Sequence, residues 1–440
     1  MKSVCFLFQV HQPFRYRRYR FFDIGNDHYY YDDYANETTL RKVAESSYLP
    51  TNNLLLKLLR NYQGEFKVAF SISGVALEQF ETYAPEVIES FQELAKTGCV
   101  EFTSGLFTHS LTSLISGRLF EEQALRHRDK IQELFGQKPK VFVNSELIYS
   151  DEIGARIAKM RFEATATEGA KHVLGWKSPN FVYVNAINPR LKILMRNFKL
   201  SDDIAFRFSN KAWQEFPLTA EKFAGWLQKS EKNDEVINLS MNYETFGEIQ
   251  KKESGIFKFT EALPEAVLKT GEFDFATPSE IITDRQPISA VHVPNPVSWA
   301  GEERDLSAWL GNELQDEAFQ KLNLLSGRMQ KCDDPAMGKD WDYLQDCDHF
   351  YYMSARFFDN AEVSKFHNPY DSPYDAFINY MNVLSDFKLR LDKLAPEEKI
   401  QQEIASLIKI IEQKEARIKK YEVEARQLRK TRRNKATRKK

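Results

Sequence analysis

Ser3 to Val10 reads Ser-Val-Cys-Phe-Leu-Phe-Gln-Val and stops at His11-Gln12-Pro13. A short apolar run rich in β-branched and aromatic residues, ended by a proline, is the pattern of a strand covered on both faces. Runs of the same kind recur at Phe66–Ile72, Val100–Thr103, Lys140–Val143, Phe181–Val184 and Val236–Met241. Between several of them lie helical patterns at Thr51–Asn61, Ala84–Thr97, Ser116–Phe135 and Asp151–Met160. Alternation of this kind predicts an α/β fold with a mostly parallel sheet, open or closed into a barrel. Asn185–Ser230 resists assignment.

Beyond about Pro296 no strand pattern separates the helical stretches Leu306–Leu325, Tyr343–Phe357 and Asp375–Leu394, so a helical domain is expected there. The expected division is 1–290, 291–394 and 395–440. In the last segment Ile400, Ile404, Leu407, Ile411, Lys414, Ile418, Tyr421, Ala425 and Leu428 alternate in spacings of four and three. This heptad seam suits self-association through 400–428 or a single amphipathic helix lying on its own chain. Nine basic and no acidic residues follow from Arg426 to Lys440.

The 440 residues are 42% apolar, enough for a large core, and a net charge of −2 argues against a nucleic-acid binder working by bulk positive charge. Aromatics reach 13%; they fill cores and also stack on sugars. Four scattered cysteines form no CxxC pair, and no stretch approaches the ~20 apolar residues of a membrane span. A cytoplasmic protein without membrane contact is expected.

In a barrel, side chains just past the carboxyl ends of the strands build the active site. His11-Gln12, His109-Ser110, Glu146, and the pair Asn242 and Glu244 fall at such places. On an extended backbone the last two would point to one side. The histidines include no i, i+4 pair, and phosphate cradles and a GxSxG elbow are absent, so neither metal nor cofactor is expected. Carboxylates with aromatic walls remain, a combination suited to glycosidic bonds.

Several segments carry a resemblance, in order from residue 1 to about 390. They are VHQPFR (Val10–Arg15), VFVNSELIY (Val141–Tyr149), TEGAKHVLGWKSPN (Thr167–Asn180), LSDDIAFRFS (Leu200–Ser209), MNYETFGE (Met241–Glu248), SWAGEERDLSAWLGN (Ser298–Asn312), LQDCDHFYYMS (Leu344–Ser354) and NPYDSPYDAFINYMN (Asn368–Asn382). They resemble glycoside hydrolase family 57, nearest its α-amylase branch. The resemblance implies a TIM-like seven-stranded (β/α) barrel followed by a helical domain, with a C-terminal coiled-coil-like helix beyond the match. It implies a retaining action on α-glucans or maltooligosaccharides, as α-amylase or as 4-α-glucanotransferase. Glu146 takes the place of the nucleophile. Asn242 takes the place of the acid/base aspartate. Substrate contacts are implied for His11, Gln12, His109, Tyr149, Trp176, Glu244, Trp299, Asp348 and His349.

An amide can neither give a proton to a leaving sugar oxygen nor recover one as a base. Gly105, Val143 and Gly301 also stand where that branch carries an acidic residue, Arg and Asp. Two functions are therefore open: an α-glucan-processing enzyme, weakened at its acid, or a non-catalytic α-glucan-binding or regulatory protein.

Overall fold

The computed structural model describes residues 1–115, 117–356 and 368–396, together with Lys414. Twelve strands occur in it: β1 (Lys2–Val10), β2 (Val68–Ile72), β3 (Val100–Phe102), β4 (Val141–Val143), β5 (Ala164–Glu168), β6 (Val182–Asn185), β7 (Lys192–Arg196), β8 (Val236–Asn242), β9 (Phe246–Gly247), β10 (Gln250–Lys251), β11 (Phe273–Phe275) and β12 (Ser289–Val291). Ten of them share one sheet. Its parallel run is β4-β5-β7-β8-β1-β2-β3. Past the end of β3, Ser104 N–H donates to Val141 O at 2.9 Å and Val143 N–H donates to Ser104 O at 2.7 Å, linking the two ends of that run. β6 is antiparallel to β7 and carries β12 on its other edge.

The alternation of side chains along β1 explains why the strand is apolar throughout. Val4, Phe6, Phe8 and Val10 face a core shared with the helices Leu49–Asn61, Gly74–Tyr83 and Pro85–Ala95. Cys5 packs with Val141, Ala164, Leu194 and Val236, and Leu7 with Ala69, Val143 and Ala166. These inward layers use small and medium side chains from neighbouring strands. Next along the strand comes Gln9, at a cavity. The apolar layers are thus the floor on which the polar site stands.

Among the aromatic side chains, Phe70 is fully buried and lies within 5.0–5.7 Å of the rings of Phe8, Phe91, Phe102 and Tyr243. Phe70→Ala is expected to cost about 3–5 kcal/mol, read as a lowered midpoint in chemical denaturation.

Where sequence and structure differ, local chemistry gives the reason. β5 (Ala-Thr-Ala-Thr-Glu) alternates Ala with Thr and β7 (Lys-Ile-Leu-Met-Arg) is bounded by Lys192 and Arg196, so neither reads as an apolar run, yet both are largely buried. The helix expected from Leu306 begins at Glu313, because the Asn312 side chain caps it by accepting from Gln315 N–H at 3.0 Å. The helix expected over Tyr343–Phe357 is instead Pro335–Leu344, capped by Asp334, followed by the turn Asp348–Tyr351. With Pro373–Leu394, these helices share a core with Phe14, Tyr16, Tyr30, Tyr31, Phe120 and Phe142 from the first half of the chain. The heptad seam, Lys414 apart, lies outside the described residues. Among the described residues no helix is long and apolar enough to cross a membrane.

Candidate active site

The cavity at the carboxyl ends of the strands is lined by Gln9, His11, His109, Glu146, Asn242, Glu244, Trp299 and Asp348, among others. Glu146 lies just past β4, in the 3₁₀ turn Ser145–Leu147. Its φ of +56° and that of Leu147, +54°, are left-handed, a conformation that costs a non-glycine residue about 1–3 kcal/mol. The turn is pinned by its surroundings: Asn144 Nδ2 donates to Ile148 O at 2.8 Å and Thr167 Oγ1 donates to Leu147 O at 3.1 Å. The carboxylate that results is gripped at both oxygens. His109 Nε2 meets Oε1 at 2.6 Å, and Trp299 Nε1–H donates to Oε2. His109 is itself left-handed, at φ +51°.

Burial alone would push the Glu146 carboxyl up; the hydrogen bond and charge of His109, with the Trp299 donor, overcome it and hold it below the ordinary carboxylate range. Burial likewise opposes a proton on His109, but the Glu146 bond and charge raise its pKa above the usual histidine value. The two form an ion pair.

The His11 ring stacks on His109 with centroids 3.9 Å apart. Burial, then the neighbouring His109, lowers its pKa to about 3, so it is neutral. Its Nδ1 lies 2.7 Å from Ser73 Oγ, and its Nε2 lies 3.3 Å from Asp346 Oδ1 and 3.6 Å from Asp348 Oδ2. Burial is the main force pushing both aspartates upward. Glu244 rises to about 7, chiefly through burial and against the hydroxyl of Tyr48 that donates to its Oε1.

Asn242 closes β8, paired in register with Gln9 of β1. Its side chain lines the cavity without a hydrogen bond among the described residues. The strand ends there, and Tyr243–Thr245 turn as a 3₁₀ helix. The extended spacing expected from Asn242 to Glu244 therefore does not hold, although both reach the cavity.

The remaining expected contacts are placed differently. Gln12 lies behind Glu244, donating to Tyr48 Oη at 3.2 Å. Tyr149 is buried with its hydroxyl accepting from Asn185 Nδ2 at 2.7 Å, and its backbone pairs with Val297, two residues before Trp299. His349 is buried against Tyr16, its Nε2 3.1 Å from Tyr343 O. Trp176 is 93% exposed on a turn and does not line the cavity. Asp346, Ser73 and His127 belong to the site without having been singled out. His127 accepts from Gly105 N–H at Nδ1 and bonds Ile72 O through Nε2. The signal for Asp346 was the spacing of two in Asp346-Cys347-Asp348.

Two donor sets, His109/Glu146/Cys347 and His11/Asp346/Asp348, come within the reach of one metal ion. In each the imidazole Nε2 is already taken up by a carboxylate.

At Gly105 a Cβ would stand 2.9 Å from Val143 O. An acidic side chain cannot simply be returned to this position. Gly105→Glu is expected to destabilise the fold by about 1–3 kcal/mol, seen as a lower Tm.

The model of glycosyl hydrolase family 57 matches residues 5–294. The chain belongs to this family. It is 40% identical, over 89% of its own length and 85% of the relative's, to a Methanocaldococcus jannaschii protein named "Putative alpha-amylase". Among solved structures it is similar to a GH57-type branching enzyme from Pyrococcus horikoshii, with a TM-score of 0.64, 14% identity and 88% of each chain covered. It is also similar to the 4-alpha-glucanotransferase of Thermococcus litoralis, with a TM-score of 0.61 and 16% identity over 87% of this chain. The chain spans 59% of that enzyme's length. At such identities these two likenesses speak for the family 57 fold alone.

Proposed function

We propose that this family 57 protein binds α-1,4-glucans in the cavity above β4, β8 and β1 and forms a covalent glycosyl intermediate on Glu146. The observation that carries this reading is the Glu146 carboxyl, held below the ordinary carboxylate range, lining an open cavity and oriented at both oxygens by His109 and Trp299. Its attack on the anomeric carbon breaks the bond to the leaving sugar oxygen. Attack by water or by a sugar hydroxyl then breaks the bond to Glu146, with overall retention. Hydrolysis and transfer to a second glucan are both within this chemistry. The seven parallel strands of 1–290 are read as the TIM-like barrel and 291–394 as its helical domain. The protein is placed in the cytoplasm.

Asn242 favours a second reading, a glucan-binding protein without turnover, because the amide gives no general acid where the family carries one. Overnight incubation with maltoheptaose, followed by product chromatography, separates the two. Shorter or longer oligosaccharides support the enzyme; intact substrate supports the binding protein.

The heptad seam is proposed to join two copies through 400–428. Deleting 397–440 is expected to lower the mass in light scattering while leaving the Tm nearly unchanged.

A further inference from the structure

With Asn242 at the family's acid position, hydrolysis of an unactivated glucan needs a proton from another wall of the cavity. Apart from Glu146, the carboxyls lining it are Glu244 and Asp348. They differ in what holds them. Glu244 is 5% exposed and its Oε1 is taken by the Tyr48 hydroxyl. The Asp348 side chain is 21% exposed, and neither of its oxygens accepts a hydrogen bond among the described residues. Its backbone N–H donates to Asp346 Oδ1 at 3.0 Å, which fixes the start of the short turn it heads.

The neighbouring groups decide where a proton goes. Ser73 Oγ accepts from Ala76 N–H, so its own proton is free to go to His11 Nδ1. The proton of the neutral imidazole then sits on Nε2, facing both Asp346 and Asp348. One imidazole proton cannot serve two carboxylates. Asp346, at 3.2–3.3 Å and 1% exposed, is the nearer. Asp348 is left beside a buried carboxylate, with the negative charges of Asp346 and Glu146 both favouring its protonated form. His11 and His109 oppose them, as does the buried Arg15 guanidinium.

Resting on the assignment of Glu146 as nucleophile, we infer that Asp348 is the acid/base of this protein, a catalytic residue displaced from β8 to the helical segment above the strand ends. In the first step the Asp348 O–H proton passes to the glycosidic oxygen as its bond to C1 breaks and Glu146 bonds C1. In the second, Asp348 takes a proton from the attacking water, whose oxygen bonds C1 as the Glu146 ester bond breaks.

The test compares maltoheptaose with α-glucosyl fluoride, whose leaving group needs no proton, in Asp348→Asn and Asp348→Ala. Turnover of maltoheptaose should fall by about 10²–10⁴, while the Glu146 adduct still forms from the fluoride. Azide should accelerate release from that adduct and yield α-glucosyl azide, a product that a merely misfolded variant cannot make. Adding Asn242→Asp to Asp348→Asn should return part of the lost maltoheptaose turnover. Unchanged maltoheptaose turnover, an equal loss on both substrates, or no effect of azide overturns the inference. So does a wild type that forms the Glu146 adduct without cleaving maltoheptaose; the nucleophile assignment then survives. Absence of the adduct in wild type and in both Asp348 variants overturns both.

Discussion

Replacing Glu146 with Gln is expected to reduce turnover of maltoheptaose and α-glucosyl fluoride alike to background. Both substrates need the same new bond at C1, and an amide oxygen held by His109 and Trp299 is a poor nucleophile. The isosteric exchange keeps the turn Ser145–Leu147 and adds no volume, so the Tm should change little. Equal loss on both substrates is the signature of the nucleophile. A variant affected only on the glucan would place Glu146 in leaving-group protonation instead.

His109→Ala should move the acid limb of the pH profile. Glu146 attacks as the carboxylate, so activity rises as pH passes upward through its pKa, which His109 holds low. A charge-assisted hydrogen bond is worth about 1.5–3 kcal/mol, equivalent to about 1–2 pH units. Without it burial dominates, and the acid limb of kcat/KM for α-glucosyl fluoride should shift upward by that amount. The sign for stability follows from the same pair. The lowered Glu146 pKa contributes stability above its unfolded value, lost as pH falls through the folded one. The raised His109 pKa contributes below its unfolded value, lost as pH rises through the folded one. The variant's loss in Tm should therefore be greatest between the unfolded pKa values of Glu and His, about 4.3 and 6.5.

Much of this site is legible in the sequence because strand ends are legible. β1, β4 and β8 carry dense apolar runs, and His11, Glu146 and Asn242 mark where each run stops. β5 and β7 are hidden because strands lined with Thr, Ala, Lys and Arg do not announce burial on both faces. The contacts made by the helical segment are harder to read. Asp346 and Asp348 reach His11 across more than 330 residues of sequence, and no periodicity encodes such an approach. Tyr149 and His349 lie within matching segments, yet their side chains point into packed surroundings. A motif places a backbone, and packing decides which of its side chains meets the cavity.

The surroundings of Glu146 and Asp348 differ in what they do to each carboxyl. Its donors hold Glu146 below the ordinary carboxylate range, while burial first, then the neighbouring carboxylates, raise Asp348 to about 6; on the proposals above these are the nucleophile and the acid/base of a retaining mechanism. On that proposal the acid sits at the start of the turn Asp348–Tyr351 and no longer at the end of β8.

The central claim is the covalent role of Glu146, and mass spectrometry of the protein after incubation with α-glucosyl fluoride tests it most directly. The account predicts one added hexosyl group, mapped to the peptide containing Glu146 and absent from Glu146→Gln. A protein unmodified both as wild type and as Asp348→Asn, or an adduct that persists in Glu146→Gln, would contradict it.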